Sequence, residues 1–417
     1  MNNFFSLVTI ARRNILRNKR RSALCITATA IAVFFMIFMQ SWIVGMIYSM
    51  NDIVRTFDTG DISIVSAEFE ARNESYPAQF PVSDGRAFSD LEGAVRGVGG
   101  VKAVFPRILV FATLQDSTVK HALLWGIDIE KETAFHNFDK TSNGNGLVEG
   151  RYPESGANEC AVGIKLAKKM NVKIGDRIPL KTVSAQFSDK MWNPVVTGIF
   201  DFDYLKYDNG VIIVQLDRLT RLLTLGEAAQ QIFIYVDNYK ESAVSAAALE
   251  NILGSGNVIR DWHDNYFVAL MDKSMFIYAL LYIVFIVVAS FLIVNTMIMI
   301  IHERIKEIGM MGSLGMTRFE ITLVFFLEAL LLSAFGALAG CATGGIASFV
   351  MSLFPLDFNA LLGGGFEEIP FSGTLRMKFD WFILVQGFLL GVVISAICTI
   401  IPSAKSAFVE PVEALRR

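Results

Sequence analysis

Apolar residues gather along the chain into four long runs that are almost free of charge. Ala23 to Met50, Ser274 to Ile301 and Trp381 to Ile401 contain no Asp, Glu, Lys or Arg, and Ile321 to Phe354 contains only Glu328. About 20 consecutive apolar residues suffice for a helix to cross a bilayer. Each run therefore predicts a transmembrane helix, over 23–50, 274–301, 321–354 and 381–401. Helices buried in a large soluble core would be the other home for such runs. Four of them, three wholly uncharged, are better explained by lipid.

The 51–273 segment alternates instead of running apolar, and it predicts a large α+β domain inserted between the first and second spans. Short strands are expected at 61–65, 101–111, 231–236 and 257–260, with helices at Phe88 to Arg96 and Ala243 to Ile252. These make two strand–helix–strand units that bracket the insert. They predict a membrane-proximal lobe of about 51–115 plus 231–273. The middle, about 116–230, mixes turn signals with a helix-like Val162 to Met170 and strands at 195–200 and 210–215, and predicts a strand-rich distal lobe.

Composition and charge add a location and an orientation. Only 18% of the 417 residues are charged and the mean hydropathy is +0.47. Residues 1–22 carry Arg12, Arg13, Arg17, Lys19, Arg20 and Arg21 with no acid, whereas 51–273 holds 23 basic and 30 acidic residues, a net of -7. Positive segments stay on the cytoplasmic side. The first apolar run is long for a signal peptide and ends in Trp42, Tyr48 and Met50 without a small-residue cleavage signal. It therefore predicts an uncleaved anchor. An even number of spans then puts both termini, the 302–320 loop and the 402–417 tail in the cytoplasm, with 51–273 and the 355–380 loop outside. Cys25, Cys341 and Cys398 fall in spans and only Cys160 in the insert, so no disulfide is expected to hold that domain.

Catalytic chemistry is not legible. The chain has no Walker lysine motif, no phosphate-binding glycine loop after a strand and no HExxH, and His121, His136, His263 and His302 are scattered. No enzyme activity, cofactor or metal is expected in this chain, and no nucleic-acid partner. The 302–320 loop does carry a pattern. Ile305, Ile308 and Met311 recur at helical spacing, with Glu303, Arg304, Lys306 and Glu307 around them. A short amphipathic helix of this kind suits a membrane surface or a partner's groove, and a plain connection fits equally. In the third span Gly336, Gly340 and Gly344 form a ridge of small residues, expected against another span or at a dimer interface. Glu328, eight residues into the same span, is expected to pair with a polar group such as Asn295 or with backbone rather than handle protons.

Four separated segments resemble one family in order. They are the basic start Ala11 to Arg21; Asn295 followed by Glu303-Arg-Ile-Lys-Glu-Ile-Gly309; Ser313-Leu-Gly-Met-Thr317 followed by Glu328; and the closing Ile401 to Arg416, which departs at Ser403 and Lys405. Together they resemble the ABC transporter permeases of the macrolide-exporter and lipoprotein-releasing type, a superfamily that includes cell-division permeases. Gly150-Arg-Tyr-Pro153, Gly163 to Lys169 and Thr197 to Val211 resemble phrases of the lipoprotein-releasing branch. The resemblance implies a bacterial inner-membrane permease that works with an ABC ATPase dimer, which binds ATP and Mg. It implies a second permease copy or a sister permease, a lipoprotein cargo and a periplasmic carrier. It further implies that the ATPase grips Glu303, Arg304, Ile305, Glu307, Ile308, Gly309 and Met311, the apolar three filling its groove. Drug or peptide efflux by the same mechanotransmission, and regulation of a cell wall hydrolase, stand as alternatives within the resemblance.

Overall fold

The computed structural model describes residues 13, 15, 19–72, 76–82, 88–115, 119–138, 146–253, 256–303, 305–354, 356–357 and 374–406. In chain order, α1 (Lys19–Ile53) continues into one wider turn over Val54–Thr59. Then come β1 (Ile62–Ser66), α2 (Phe88–Arg96), β2 (Val101–Leu114), β3 (His121–Ile127), α3 (Ile129–His136), β4 (Gly146–Gly150), β5 (Glu159–Gly163) and α4 (Ile164–Met170). The hairpin β6 (Leu180–Val183) and β7 (Asp189–Trp192) leads to β8 (Val195–Asp201), α5 (Leu205–Gly210), β9 (Val211–Gln215) and α6 (Leu216–Leu223). After β10 (Gln231–Val236), α7 (Ser242–Leu253) and β11 (Asn257–Asp261), the chain returns to long helices: α8 (Tyr266–Glu303), the short α9 (Ile305–Ser313), α10 (Arg318–Leu353) and α11 (Trp381–Ser406).

Four helices, α1, α8, α10 and α11, are long and apolar enough to cross a membrane. At 35 and 38 residues, α1 and α8 measure about 50–57 Å by helical rise, well beyond the roughly 30 Å hydrocarbon core. The second helix starts at Tyr266, eight residues before the expected 274. Charged Asp272 and Lys273 end an apolar run but not a hydrogen-bonded one, and the Asn265 side chain accepts the Phe267 N–H at 2.8 Å to begin the helix upstream of them. Most of the 355–380 loop and the tail beyond 406 lie outside the described residues.

The described residues of 50–271 form one compact unit, and the span residues form another. The inserted unit is built on one sheet, β11-β1-β10-β2-β3-β9-β5-β8-β4, with β6 and β7 branching from β2. Each of the first four strands runs antiparallel to its neighbour. α2 joins β1 to β2 and α7 joins β10 to β11, the split βαβ arrangement of ferredoxin-like domains, with 115–230 inserted between β2 and β10. Period-two alternation turns Ile62, Ile64, Val104, Ile232 and Ile234 to one face, where Leu91 and Val95 of α2 and Leu249 and Leu253 of α7 bury them. A second core gathers Ile108, Val110, Leu124, Cys160, Val162, Leu166, Ile212 and Leu219.

Two expectations change here. The lobes do not part at residue 115. β2 is common to both, pairing with β10 through Val101–Arg107 and with β3 from Ile108 onward. Nor is Val162 to Met170 one helix: Val162 and Gly163 close β5 against β8, and the helix begins at Ile164.

Candidate coupling segment and span packing

The sharp turn between α9 and α10 follows from its sequence. Gly315 adopts φ +91°, a conformation glycine tolerates best. The Met316 N–H then bonds Met311 O at 3.2 Å and the Gly315 N–H bonds Gly312 O at 3.2 Å. This is a Schellman closure, and Met311 and Met316 share the apolar cluster that accompanies it. Two residues on, Thr317 caps α10: its hydroxyl accepts the Glu320 N–H at 3.3 Å while the Glu320 carboxylate accepts the Thr317 N–H at 2.9 Å. The Leu-Gly-Met-Thr phrase thus ends one helix and starts the next within four residues.

The expected apolar contact face of α9 is turned inward. Ile308 is 2% exposed and packs with Ile321 and Phe325 of α10, Met311 is half-buried beside it, and Gly309 is buried. Ile305 and Glu307 are intermediate. Glu303 closes α8, its side chain undescribed, and Arg304 lies outside the described residues. The groove-filling role expected of Ile308 and Met311 is therefore already taken by the chain's own span. The outward stripe is Lys306, Met310 and Leu314, at spacing of four, with Leu314 85% exposed and Phe319 following at 74%. Helical period alone could not choose between these faces, because both carry apolar residues.

The glycine ridge of α10 lies against α1. A Cβ on Gly336 would fall 2.6 Å from Thr29 Cβ, on Gly340 2.6 Å from the Ala30 carbonyl oxygen, and on Gly344 3.2 Å from Ile37 Cβ. From α11, Gly391 meets Val33 and Gly387 meets Ile37. Sequence reading missed these two, although they stand four residues apart in an uncharged run. The Gln40 side chain donates to Gln386 Oε1 at 2.9 Å, a polar link between α1 and α11. Glu328 is buried at 5%, whereas Asn295 is exposed on α8. α8 is the most exposed span along its apolar window.

The inserted unit carries its strongest charges inside. Arg107 and Glu132, 2% and 0% exposed, make a bidentate pair through Nε to Oε1 at 2.8 Å and Nη2 to Oε2 at 2.5 Å. Burial pushes the Glu132 carboxyl above its ordinary pKa against the pull of Arg107; burial also pulls the Arg107 pKa down, but Glu132, Tyr235 and Tyr207 together hold it above its own. The bidentate geometry is that of an ion pair. His136 Nε2 lies 3.7 Å from Glu132. Burial first, then the charges of Arg107 and Arg55, push its pKa down to about 2, so the ring is neutral. Among the described residues no cluster of three or more His, Cys, Asp or Glu could hold a metal ion.

Four membrane-length helices, a capped amphipathic turn after the second and a large α+β domain inserted after the first define a membrane permease. Residues 22–252 match the model of the MacB-like periplasmic core domain, and residues 279–411 match that of the FtsX-like permease C-terminal domain. The chain belongs to this family of ABC transporter permeases. It is 22% identical over 333 residues to "Lipoprotein-releasing system transmembrane protein LolC" of Xylella fastidiosa, covering 76% of this chain and 78% of that one. It is 26% identical over 293 residues to the LolC protein of Haemophilus influenzae, covering 67% and 68%. It is 30% identical over 125 residues to "Macrolide export ATP-binding/permease protein MacB" of Mannheimia succiniciproducens, covering 30% of this chain and 17% of that one.

Proposed function

We propose that this chain is the permease subunit of an inner-membrane ABC transporter that releases lipoproteins from the outer leaflet, driven by ATP hydrolysis in a separate ATPase dimer. The observation that carries the cargo is the likeness to LolC proteins, which extends through two thirds or more of both chains. The likeness to the macrolide exporter covers 30% of this chain, which supports the shared transport apparatus more than a shared cargo. Both termini and α9 face the cytoplasm on this reading, and the inserted domain faces the periplasm. The permease functions as a pair, with a second copy or a sister subunit. The ATPase docks on the outward stripe Lys306, Met310 and Leu314.

The test is reconstitution of the purified permease with its ATPase in proteoliposomes loaded with triacylated lipoprotein. ATP should drive lipoprotein into the soluble phase. Leu314→Asp and Met310→Asp should release the ATPase subunit while leaving the permease's thermal stability unchanged. Ile308→Asp should instead destabilise the permease, because it places a charge against Ile321 and Phe325. If the ATPase binds and hydrolyses ATP but no lipoprotein leaves the membrane, the cargo assignment fails and efflux of another substrate takes its place.

A further inference from the structure

A helix leaves its last carbonyls without intrahelical donors. At the outer end of α1, side chains of the inserted domain take them up. The Tyr235 hydroxyl donates to Arg55 O at 2.9 Å and lies 3.2 Å from Thr56 O. Arg107 Nη1 donates to Thr56 O at 2.8 Å and reaches Phe57 O at 3.3 Å. The Tyr207 hydroxyl donates to Phe57 O at 2.8 Å. One residue further, the Asp58 carboxylate accepts the Tyr204 hydroxyl at 2.7 Å and Lys206 Nζ at 2.6 Å. The Phe57 ring is enclosed by Trp125, Phe138, Phe202, Tyr204 and Tyr207, with centroids 4.9–6.0 Å away.

These gripping groups come from separate parts of the inserted domain. Tyr235 is on β10, Arg107 on β2, and Tyr204, Lys206 and Tyr207 belong to the turn and helix that follow β8. Strand alternation explains the placement: α2 and α7 cover one face of the β11-β1-β10-β2 half, and Arg107, Phe233 and Tyr235 point to the other. There the end of α1 takes the place of a covering helix. A cavity of about 420 Å³ adjoins it, and its cations Arg107, Lys206 and Arg260 are each paired with a carboxylate, from Glu132, Asp58 and Glu70. Apolar packing would anchor a helix end without the desolvation cost of a buried Arg–Glu pair. Directed hydrogen bonds to three successive carbonyls do something packing does not, because they fix the helix in rotation and in translation.

We propose that residues 55–58 are a joint that delivers displacement of the first span to both halves of the inserted sheet at once, with the Tyr204, Tyr207 and Tyr235 hydroxyls as its positioning groups. This rests on the transport reading above for the source of the displacement. α1 reaches the joint as one uninterrupted helix from Lys19 to Ile53, and no proline stands between residues 19 and 59. A push or twist applied along it therefore arrives at residue 55.

The experiment uses the full permease with its ATPase in nanodiscs and the triple variant Tyr204→Phe/Tyr207→Phe/Tyr235→Phe, which keeps every ring and removes only the three hydroxyls. Amide hydrogen exchange of segments 101–114 and 202–215 is compared with and without vanadate-trapped nucleotide, alongside ATP hydrolysis and lipoprotein release. In the wild type, trapping should change exchange in both segments at least threefold. In the variant that change should vanish and release should fall at least tenfold, with hydrolysis within twofold of wild type. A merely structural role would lower thermal stability and reduce hydrolysis and release in parallel. The proposal is overturned if the variant keeps the nucleotide-dependent exchange change, or if the wild type shows none. Should the wild type respond in exchange yet release no lipoprotein, the cargo assignment fails and the joint stands. If the triple variant does not fold, Tyr235→Phe alone is read by the same exchange criterion, and at least half of the change should be lost.

Discussion

Replacing Gly340 by alanine tests the close approach of α10 to α1 through the sign of a stability change. The added methyl carbon would lie 2.6 Å from the Ala30 carbonyl oxygen and 2.8 Å from Val33 Cβ. Comfortable carbon contacts begin near 3.5 Å, so the helices must part by about 0.7–0.9 Å. Overpacking of this kind costs about 1–3 kcal/mol, whereas glycine to alanine in a helix returns about 0.8–1 kcal/mol of propensity. The clash wins, and Gly340→Ala should be destabilised by about 1 kcal/mol net. At Gly344 the nearest atom is Ile37 Cβ at 3.2 Å, which a small helix adjustment accommodates. There propensity wins, and Gly344→Ala should be neutral or slightly more stable.

The assay follows from the cysteines. Cys25 on α1 is buried and Cys341, one residue from Gly340 on α10, is half-buried. A thiol-reactive fluorophore should therefore report separation of these helices as temperature or denaturing detergent rises. One parting of the helices also relieves the contact of Gly336 with Thr29. The Gly336→Ala/Gly340→Ala double variant should accordingly cost less than the sum of the singles, by more than the roughly 0.5 kcal/mol scatter of additive sites. A Gly340→Ala protein at least as stable as Gly344→Ala would refute this reading of the ridge.

Two further outcomes follow from the structure. His136 is held near a pKa of about 2 against an ordinary 6.5, so the stability that its neutrality requires is complete above pH 6.5 and is lost as pH falls from there toward 2. Between pH 7 and pH 5 the inserted domain should lose about 2 kcal/mol on this account, measured by urea unfolding. His136→Gln should flatten that slope, even though Glu132 lies nearby, because the carboxylate is already committed to Arg107. At the α9–α10 turn, Gly315→Ala imposes a side chain at φ +91° and should cost about 1–2 kcal/mol. Thr317→Ala should cost about 1 kcal/mol through loss of the cap, and both should speed proteolysis at residues 313–317.

The spans were legible because lipid demands long uncharged runs, a signal that needs no partner to interpret. The strand–helix–strand units at both ends of the insert were legible for a related reason: their apolar residues alternate at the period of the face they bury. α3, α5 and α6, each of six to eight residues, left too short a stretch for helical period to stand out between strands. Ile308 was assigned to a contact face, but which side of α9 faces α10 depends on the Schellman turn at Gly315, a tertiary fact. Arg107 read as one residue of a strand. Its meaning lies in Glu132, 25 positions away, and in a carbonyl 51 positions before it, and no local pattern announces either.

The same contrast separates the two spans that border the insert. On α1, Ala32, Val33, Met36 and Ile37 are buried, its contact line with α10 and α11 is set by five glycines, and the carbonyls that follow it are held by Arg107 and Tyr235 of the sheet and Tyr207 of α5. On α8, Phe276, Ile283, Val287 and Phe291 are more than half exposed. At its first turn Val268, with Trp262 just before it, packs on Val54, which follows α1. A helix fixed by backbone-distance contacts along its length and by hydrogen bonds at its end carries displacement with little slack, because close-packed interfaces deform poorly. A helix with an open apolar face exchanges neighbours instead, lipid or another subunit. α1 is therefore the element suited to carry work and α8 the one suited to meet a changing surface. A proline placed mid-way in α1, at Met39, should abolish transport while leaving the sheet folded, whereas the same break at Val287 of α8 should reduce transport less. Equal loss from both would remove the distinction between the two helices.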